Sequence, residues 1–185
     1  MLLHWQALME NEKQQCLKMS EKEKFVYFLL LQYRSPYGWG KENPVTADCS
    51  GSVCLALMMA TGLSIRTTAD GLLKKFFTIR NPGKDLLQAA FFITRTDKRH
   101  GSRIAKKGEA VHVAGLIGDN VIFNAVEPYA EIRTLESVKL EYGFKGCDTV
   151  IRGLDITALK TAHRDGTDLF GLDAELEQFI TKEAS

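Results

Sequence analysis

The chain has 185 residues, 45% of them hydrophobic, with 24 Lys and Arg against 23 Asp and Glu for a net charge of +1. That length suits one compact domain whose core needs neither metal nor disulfide, and no cofactor is expected. The charge balance excludes the long-range field that nonspecific binding to nucleic acid or an anionic membrane requires.

Residues 2–19 are drawn as an N-terminal helical extension with Leu3, Ala7, Leu8 and Leu17 among its apolar positions. Ser20-Glu21-Lys22-Glu23 is a capping box that opens a second helix through about Tyr33. The longest apolar run, Phe25 to Leu31, is too short to span a bilayer, and no basic segment leading into an apolar one marks an export signal. Pro36-Tyr37-Gly38-Trp39-Gly40 predicts a turn, with Trp39 packing the loop, and a helix from Cys49 to about Thr61 follows, stopped by Gly62. Beyond its first turn this helix is apolar almost all round, so it is expected to be buried against a sheet. Ala69 to about Phe77 reads as another helix and Asn81-Pro82-Gly83 as a turn.

Apolar runs then predict strands at about 89–95, 109–117, 121–126 and 147–152, with a short one near Glu131-Ile132-Arg133. The basic run from Arg95 to Lys107 reads as a solvated hairpin leading into the strand of His112, where it would border a cleft. The tail from Gly153 is read as a C-terminal extension with a turn at Asp165-Gly166 and a helix from about Asp173 to Thr181. Helices first and strands afterwards point to an α+β class with an antiparallel sheet. With no repeat or linker, residues 1–185 are expected to form a single domain, with 1–19 and 153–185 as extensions.

Four cysteines, Cys16, Cys49, Cys54 and Cys147, show neither a CxxC pair nor metal-ligand spacing, so the chain reads as made and kept reduced, in a cytoplasm. Cys16, Cys54 and Cys147 read as small buried hydrophobes. Cys49 differs: it follows Asp48 at a helix start, where unpaired N–H groups and the positive dipole end bias a thiol toward thiolate. Cys54 lies about 140° around that helix and cannot share its face. Val111-His112-Val113-Ala114 supplies a base on a strand, and Asn124 sits on the next strand; His4, His100 and His163 read as surface residues.

Gly118-Asp119-Asn120 is read as a three-residue hairpin loop that pairs Ile117 with Val121 and Ala114 with Asn124, placing Asn124 diagonally from His112 on one face. A two-residue loop would send Asn124 to the opposite face. The chemistry of Cys49, His112 and Asn124 together is acyl transfer: nucleophile, acid–base, and orienter of the imidazole. The Cys49 backbone N–H is the expected oxyanion donor.

At these residues the chain resembles the NlpC-type cysteine peptidases, papain-like enzymes that cut the peptide stems of bacterial peptidoglycan. The resemblance rests on the Pro36–Gly40 turn, Asp48-Cys49-Ser50-Gly51, Arg66-Thr67-Thr68-Ala69 after Gly62, and His112-Val113-Ala114 with Asn124 on the next strand, and it spans roughly residues 25–126. Lys41 stands where the family's turn has a second glycine, and Leu87-Gln88 where it has Gly-Asp. The resemblance implies a papain-like fold and hydrolysis of stem peptides near the bond from γ-D-glutamate to a diamino acid. It also implies that Tyr37, Asp48 and Ser50 line the pocket for the substrate's amine and backbone, while Asp48 reads equally well as a plain helix cap.

The alternative is an amidase, deamidase or acyltransferase acting on a protein or lipid with the same triad, and a third reading is an inactive wall-binding module. The expected partner is peptidoglycan or its peptide fragments, with an immunity or inhibitor protein if the chain is a toxin. Neither nucleic acid nor a membrane span is expected. Reaching the wall would require phage lysis or contact-dependent secretion, unless wall fragments are met inside the cell.

Overall fold

The structure, a computed structural model, describes residues 14–41, 45–101, 103–157 and 159–160. Of the expected N-terminal helix, residues 14–18 are helical; the turn at 165–166 and the helix over 173–181 lie outside the described residues.

Helix α1 (Glu21–Leu30) opens on the expected capping box, the Ser20 side chain accepting from the Glu23 N–H and Glu23 accepting from the Ser20 N–H at 2.7 Å. It ends three residues short of Tyr33, because the chain must swing toward Pro36, which disfavours helix just before it. Arg34 takes the left-handed conformation there, with φ 67°, and its N–H donates to Ala130. Helix α2 (Cys49–Thr61) ends as expected at Gly62, whose φ of 75° is left-handed. Helix α3 (Ala69–Gly71) is capped by Thr68 and widens into a π-helical turn over Leu72–Phe76, so the expected helix is present but not uniformly α. The wider turn accompanies burial of Leu72, Phe76 and Phe77 together.

The main sheet contains β1 (Ile79–Arg80), β2 (Leu87–Thr94), β5 (Ala110–Gly118), β6 (Val121–Ala125), β7 (Ala130–Thr134) and β8 (Cys147–Leu154). Its order is β1-β8-β2-β5-β6-β7 and every pairing is antiparallel. A separate hairpin, β3 (Lys98–His100) with β4 (Arg103–Ala105), forms within the basic run, and α4 (Leu135–Phe144) joins β7 to β8. Helices α1 to α3 bury Phe25, Leu29, Val53 and Leu57 against Phe91 and Val113 on one face. The other face buries Phe92, Ala114 and Ile122 beneath Val138 of α4. Each such large apolar side chain contributes about 1.5–3 kcal/mol by leaving water.

Strand β1 and helix α4 are not among the expected elements. Strand β8 runs to Leu154 in an inner position, and Ile156 and Leu159 are buried after it. The folded unit therefore continues well past residue 126 and absorbs the start of the expected C-terminal extension. An ion pair between Lys160 and Glu21 ties that segment to α1. No helix among the described residues is long and apolar enough to cross a membrane.

The β5–β6 connection corrects the expected loop. Gly118 pairs with Val121, leaving only Asp119 and Asn120 in the turn, while a bulge leaves Ile117 over between Leu116 and Gly118. The bulge restores the register that a two-residue turn alone would shift, so Gly115 faces Phe123 and Asn124 stays on the His112 face.

Helix α1 lies so close to β5 that a Cβ on Gly115 would sit 2.4 Å from Leu29 Cδ1, and Leu29 is fully buried. Gly115→Ala is expected to lower unfolding free energy by about 1–3 kcal/mol in urea titration. An unchanged midpoint would mean that α1 packs more loosely than described.

Candidate active site

The loop before α2 is folded around one carboxylate. Asp48 Oδ1 accepts from the Gly51 N–H at 2.7 Å, capping the helix, and from the Ser50 hydroxyl at 2.9 Å. Asp48 Oδ2 accepts from the Gly40 N–H at 2.9 Å, and the Asp48 N–H donates to Lys41 O at 3.0 Å. Gly40, at φ 68°, gives the turn the left-handed step that an L side chain resists. The result is a rigid seat that holds Cys49 as the first residue of α2.

Cys49 keeps 9% of its surface exposed. Burial pushes its thiol up to about 12, with the Asp48 charge acting the same way; the N–H groups of Val113, Ser50 and Cys49 itself pull in the opposite direction. The expected bias toward thiolate is therefore corrected: a helix N-terminus contributes at most about 2 kcal/mol, and desolvation of the anion outweighs it.

His112 Nε2 lies 2.7 Å from Asn124 Oδ1, and both side chains are buried. A carbonyl oxygen only accepts, so Nε2 carries the proton and Nδ1 keeps its lone pair. The Asn124 amide in turn donates to Glu131 Oε1 at 3.4 Å. Tyr142 of α4 stacks on the imidazole at 4.8 Å and 14°, and Phe92 lies 5.4 Å away on a tilted plane. Burial lowers the His112 pKa to about 4 despite the opposing Asn124 hydrogen bond. At rest the site thus holds a neutral thiol and a neutral imidazole.

Cys49 and His112 line one cleft of about 470 Å³, with Tyr37, Trp39, His100 and Tyr142 among its other walls. Burial raises the Tyr37 and Tyr142 phenols, so both remain protonated donors. Trp39, 55% exposed, meets the His100 ring edge-on at 4.9 Å, and a Cβ on Gly101 would sit 2.6 Å from its indole. Trp39 therefore packs its loop against the β3–β4 hairpin, which borders the cleft. His100 is not a plain surface residue: it is half-buried in the cleft wall, its pKa lowered by burial and by Arg103 and Lys98. His4 and His163 lie outside the described residues.

Asp48 and Ser50 face a neighbouring cleft of about 430 Å³, which Arg66 and Thr68 also line. The structure thus brings Cys49, His112, Asn124 and Tyr37 to one site and sets Asp48 and Ser50 beside it. Cys54 is fully buried on another face, its thiol donating to Thr67 O at 3.6 Å, and Cys16, Cys49, Cys54 and Cys147 all remain thiols. Among the described residues, no group of three or more His, Cys, Asp or Glu side chains is placed to hold a metal.

Sequence reasoning missed Tyr142 and Glu131. The signals for Tyr142 were Thr134, which caps α4 by accepting from the Ser137 N–H, and the four-residue spacing of Val138 and Tyr142, whereas Glu131 sits in the short strand expected near 131–133.

No family model matches the sequence, and no curated protein does. Several solved structures share the fold. The P60 domain of an antigen from M. avium paratuberculosis matches at 14% identity with a TM-score of 0.52, over 80% of this chain and 99% of that one. The NlpC/P60 domain of the peptidoglycan hydrolase SagA matches at 17% and 0.50, over 70% and 97%. NlpC1 from Trichomonas vaginalis matches at 17% and 0.50 over 73% of this chain, which spans only 44% of that protein. The fold is α+β, papain-like, of the NlpC/P60 type.

A depressed imidazole makes stability depend on acid. Folded His112 stays neutral down to about 4, whereas the unfolded side chain binds a proton below about 6.5, so its contribution is complete above 6.5 and is lost as pH falls through 4. Between pH 7 and 4 the wild-type protein is expected to lose up to about 3 kcal/mol more than His112→Gln, measured by urea unfolding. Parallel acid profiles for the two proteins would contradict the buried neutral histidine.

Proposed function

We propose that this NlpC/P60-type fold carries a cysteine peptidase or amidase that hydrolyses amide bonds in peptidoglycan stem peptides, near the γ-D-glutamyl bond to a diamino acid. The observation that carries the reading is the His112–Asn124 hydrogen bond behind a cleft whose wall also holds Cys49 at a helix start. The substrate class follows from the motif resemblance and from a fold shared with a domain described as part of a peptidoglycan hydrolase.

In this mechanism the resting pair is neutral, so proton transfer and attack go together. His112 Nδ1 takes the thiol proton as the Cys49 sulfur adds to the scissile carbonyl. The oxyanion is received by the Cys49 N–H at the start of α2, where partial positive charge is already oriented. Asn124 keeps accepting from Nε2–H and so favours the imidazolium that forms. That imidazolium protonates the leaving amine, and the regenerated Nδ1 activates water against the thioester. Tyr37 offers a donor phenol in the same cleft. Asp48 and Ser50, in the adjoining cleft, receive the substrate's amine and backbone, Asp48 keeping its capping role.

The test incubates wild-type protein and Cys49→Ala with purified peptidoglycan and free stem peptides and identifies products by mass. Stem cleavage is expected from wild type, with a loss of more than about 10³-fold in Cys49→Ala. Intact stems with Cys49 acylated by another activated amide or ester would move the substrate to a protein or lipid amide, and a Cys49 that no such acyl donor modifies would leave a binding module.

The acid limb of kcat/KM is expected near pH 4, because the base must be unprotonated and burial holds His112 at about 4. A rate that halves near pH 6.5 would show an ordinary solvated imidazole instead.

A further inference from the structure

We propose that Glu131 is a positioning residue of this site, setting which end of the Asn124 amide faces His112 and thereby which imidazole nitrogen is free to act as base. The inference rests on the hydrolase reading for its catalytic consequence, though its structural content stands apart.

An asparagine amide has two ends of nearly equal shape and opposite polarity. If the NH₂ faced His112, Nε2 would have to accept, the proton would sit on Nδ1, and no base would remain for the thiol. Asn124 and Glu131 are direct cross-strand partners in β6 and β7, and the amide Nδ2 lies 3.4 Å from Glu131 Oε1. A carboxylate only accepts, so it selects the NH₂ and sends the carbonyl to His112 Nε2, where the 2.7 Å contact is found.

Glu131 is itself held. Arg133 contacts Glu131 Oε1 at 3.4 Å and Glu141 Oε2 at 2.7 Å, linking β7 to α4. Lys145 reaches Glu141 at 2.6 Å and lies 4.7 Å over the ring of Tyr142, which stacks on His112. The linked side chains therefore leave the imidazole through its edge and return to it through its face. The charged members are between 30% and 52% exposed, where solvent screens an ion pair and leaves it little net stabilisation. Their energetic yield is small, and what the arrangement fixes is direction.

The experiment follows ¹⁵N NMR of the His112 ring, assigned by its loss in His112→Gln, together with kcat and KM on a stem peptide. It compares wild type, Glu131→Gln and the double variant Asn124→Asp with Glu131→Gln. Wild type is expected to show a single tautomer with the proton on Nε2. In Glu131→Gln the neighbouring amide no longer selects one orientation, so the tautomers mix and kcat falls about tenfold or more, with KM within about twofold. The double variant restores the polarity, the introduced aspartate accepting from His112 while the introduced glutamine amide donates to that aspartate, and should recover both signals. A merely structural role would lower stability without moving the tautomer. An unchanged tautomer in Glu131→Gln overturns the inference, whereas a shifted tautomer in a protein that leaves stems intact overturns the proposed substrate only.

Discussion

The hydrogen bond between His112 Nε2 and Asn124 Oδ1 is the contact on which the site's chemistry depends, because it decides where the imidazole proton sits. Its geometry is set by backbone rather than by side-chain reach. The two residues lie on adjacent strands, and one extra residue at Ile117 keeps them on the same face despite a two-residue turn. A second bulge, between Phe92 and Ile93, pairs Phe92 with His112 and leaves Val111 unpaired beside it. Irregularities in the ladder thus aim the imidazole, as bulges near functional sites commonly do.

Burial gives this arrangement its resting state. Low-dielectric surroundings oppose both the thiolate and the imidazolium, and they act more strongly than the oriented N–H groups at the start of α2. In the proposed reaction the thiol stays quiet until a carbonyl enters the cleft and the developing oxyanion meets those same N–H groups. The other conspicuous feature, the Asp48 seat, serves geometry: its carboxylate draws Gly40, Ser50 and Gly51 together and fixes where the sulfur stands.

Much of this was legible in local sequence. The cap, the apolar run and Gly62 marked α2, and alternating apolar runs marked β2, β5, β6 and β8, because those signals are set by neighbours along the chain. The spacing of His112 and Asn124 was read with the right outcome but the wrong loop, since a bulge and a longer turn give the same register. What escaped was tertiary. Helix α4 carries Leu140 and Phe144 exposed and only Val138 buried, so its apolar pattern is faint. The contact of Glu131 with Asn124 arises only once β7 pairs with β6, and that of Tyr142 with His112 only once α4 folds over the sheet. The balance between dipole and desolvation at Cys49 was likewise unreadable without knowing how deeply the sulfur lies.

The most direct measurement is the mass of the protein's own peptides after incubation with stem peptide is quenched in acid. A thioester adduct, equal in mass to the acyl half of the substrate, is expected on the peptide bearing Cys49 and on none bearing Cys16, Cys54 or Cys147. Product formation with the adduct on another residue, or with Cys49 never acylated even when deacylation is slowed, would contradict a Cys49 nucleophile.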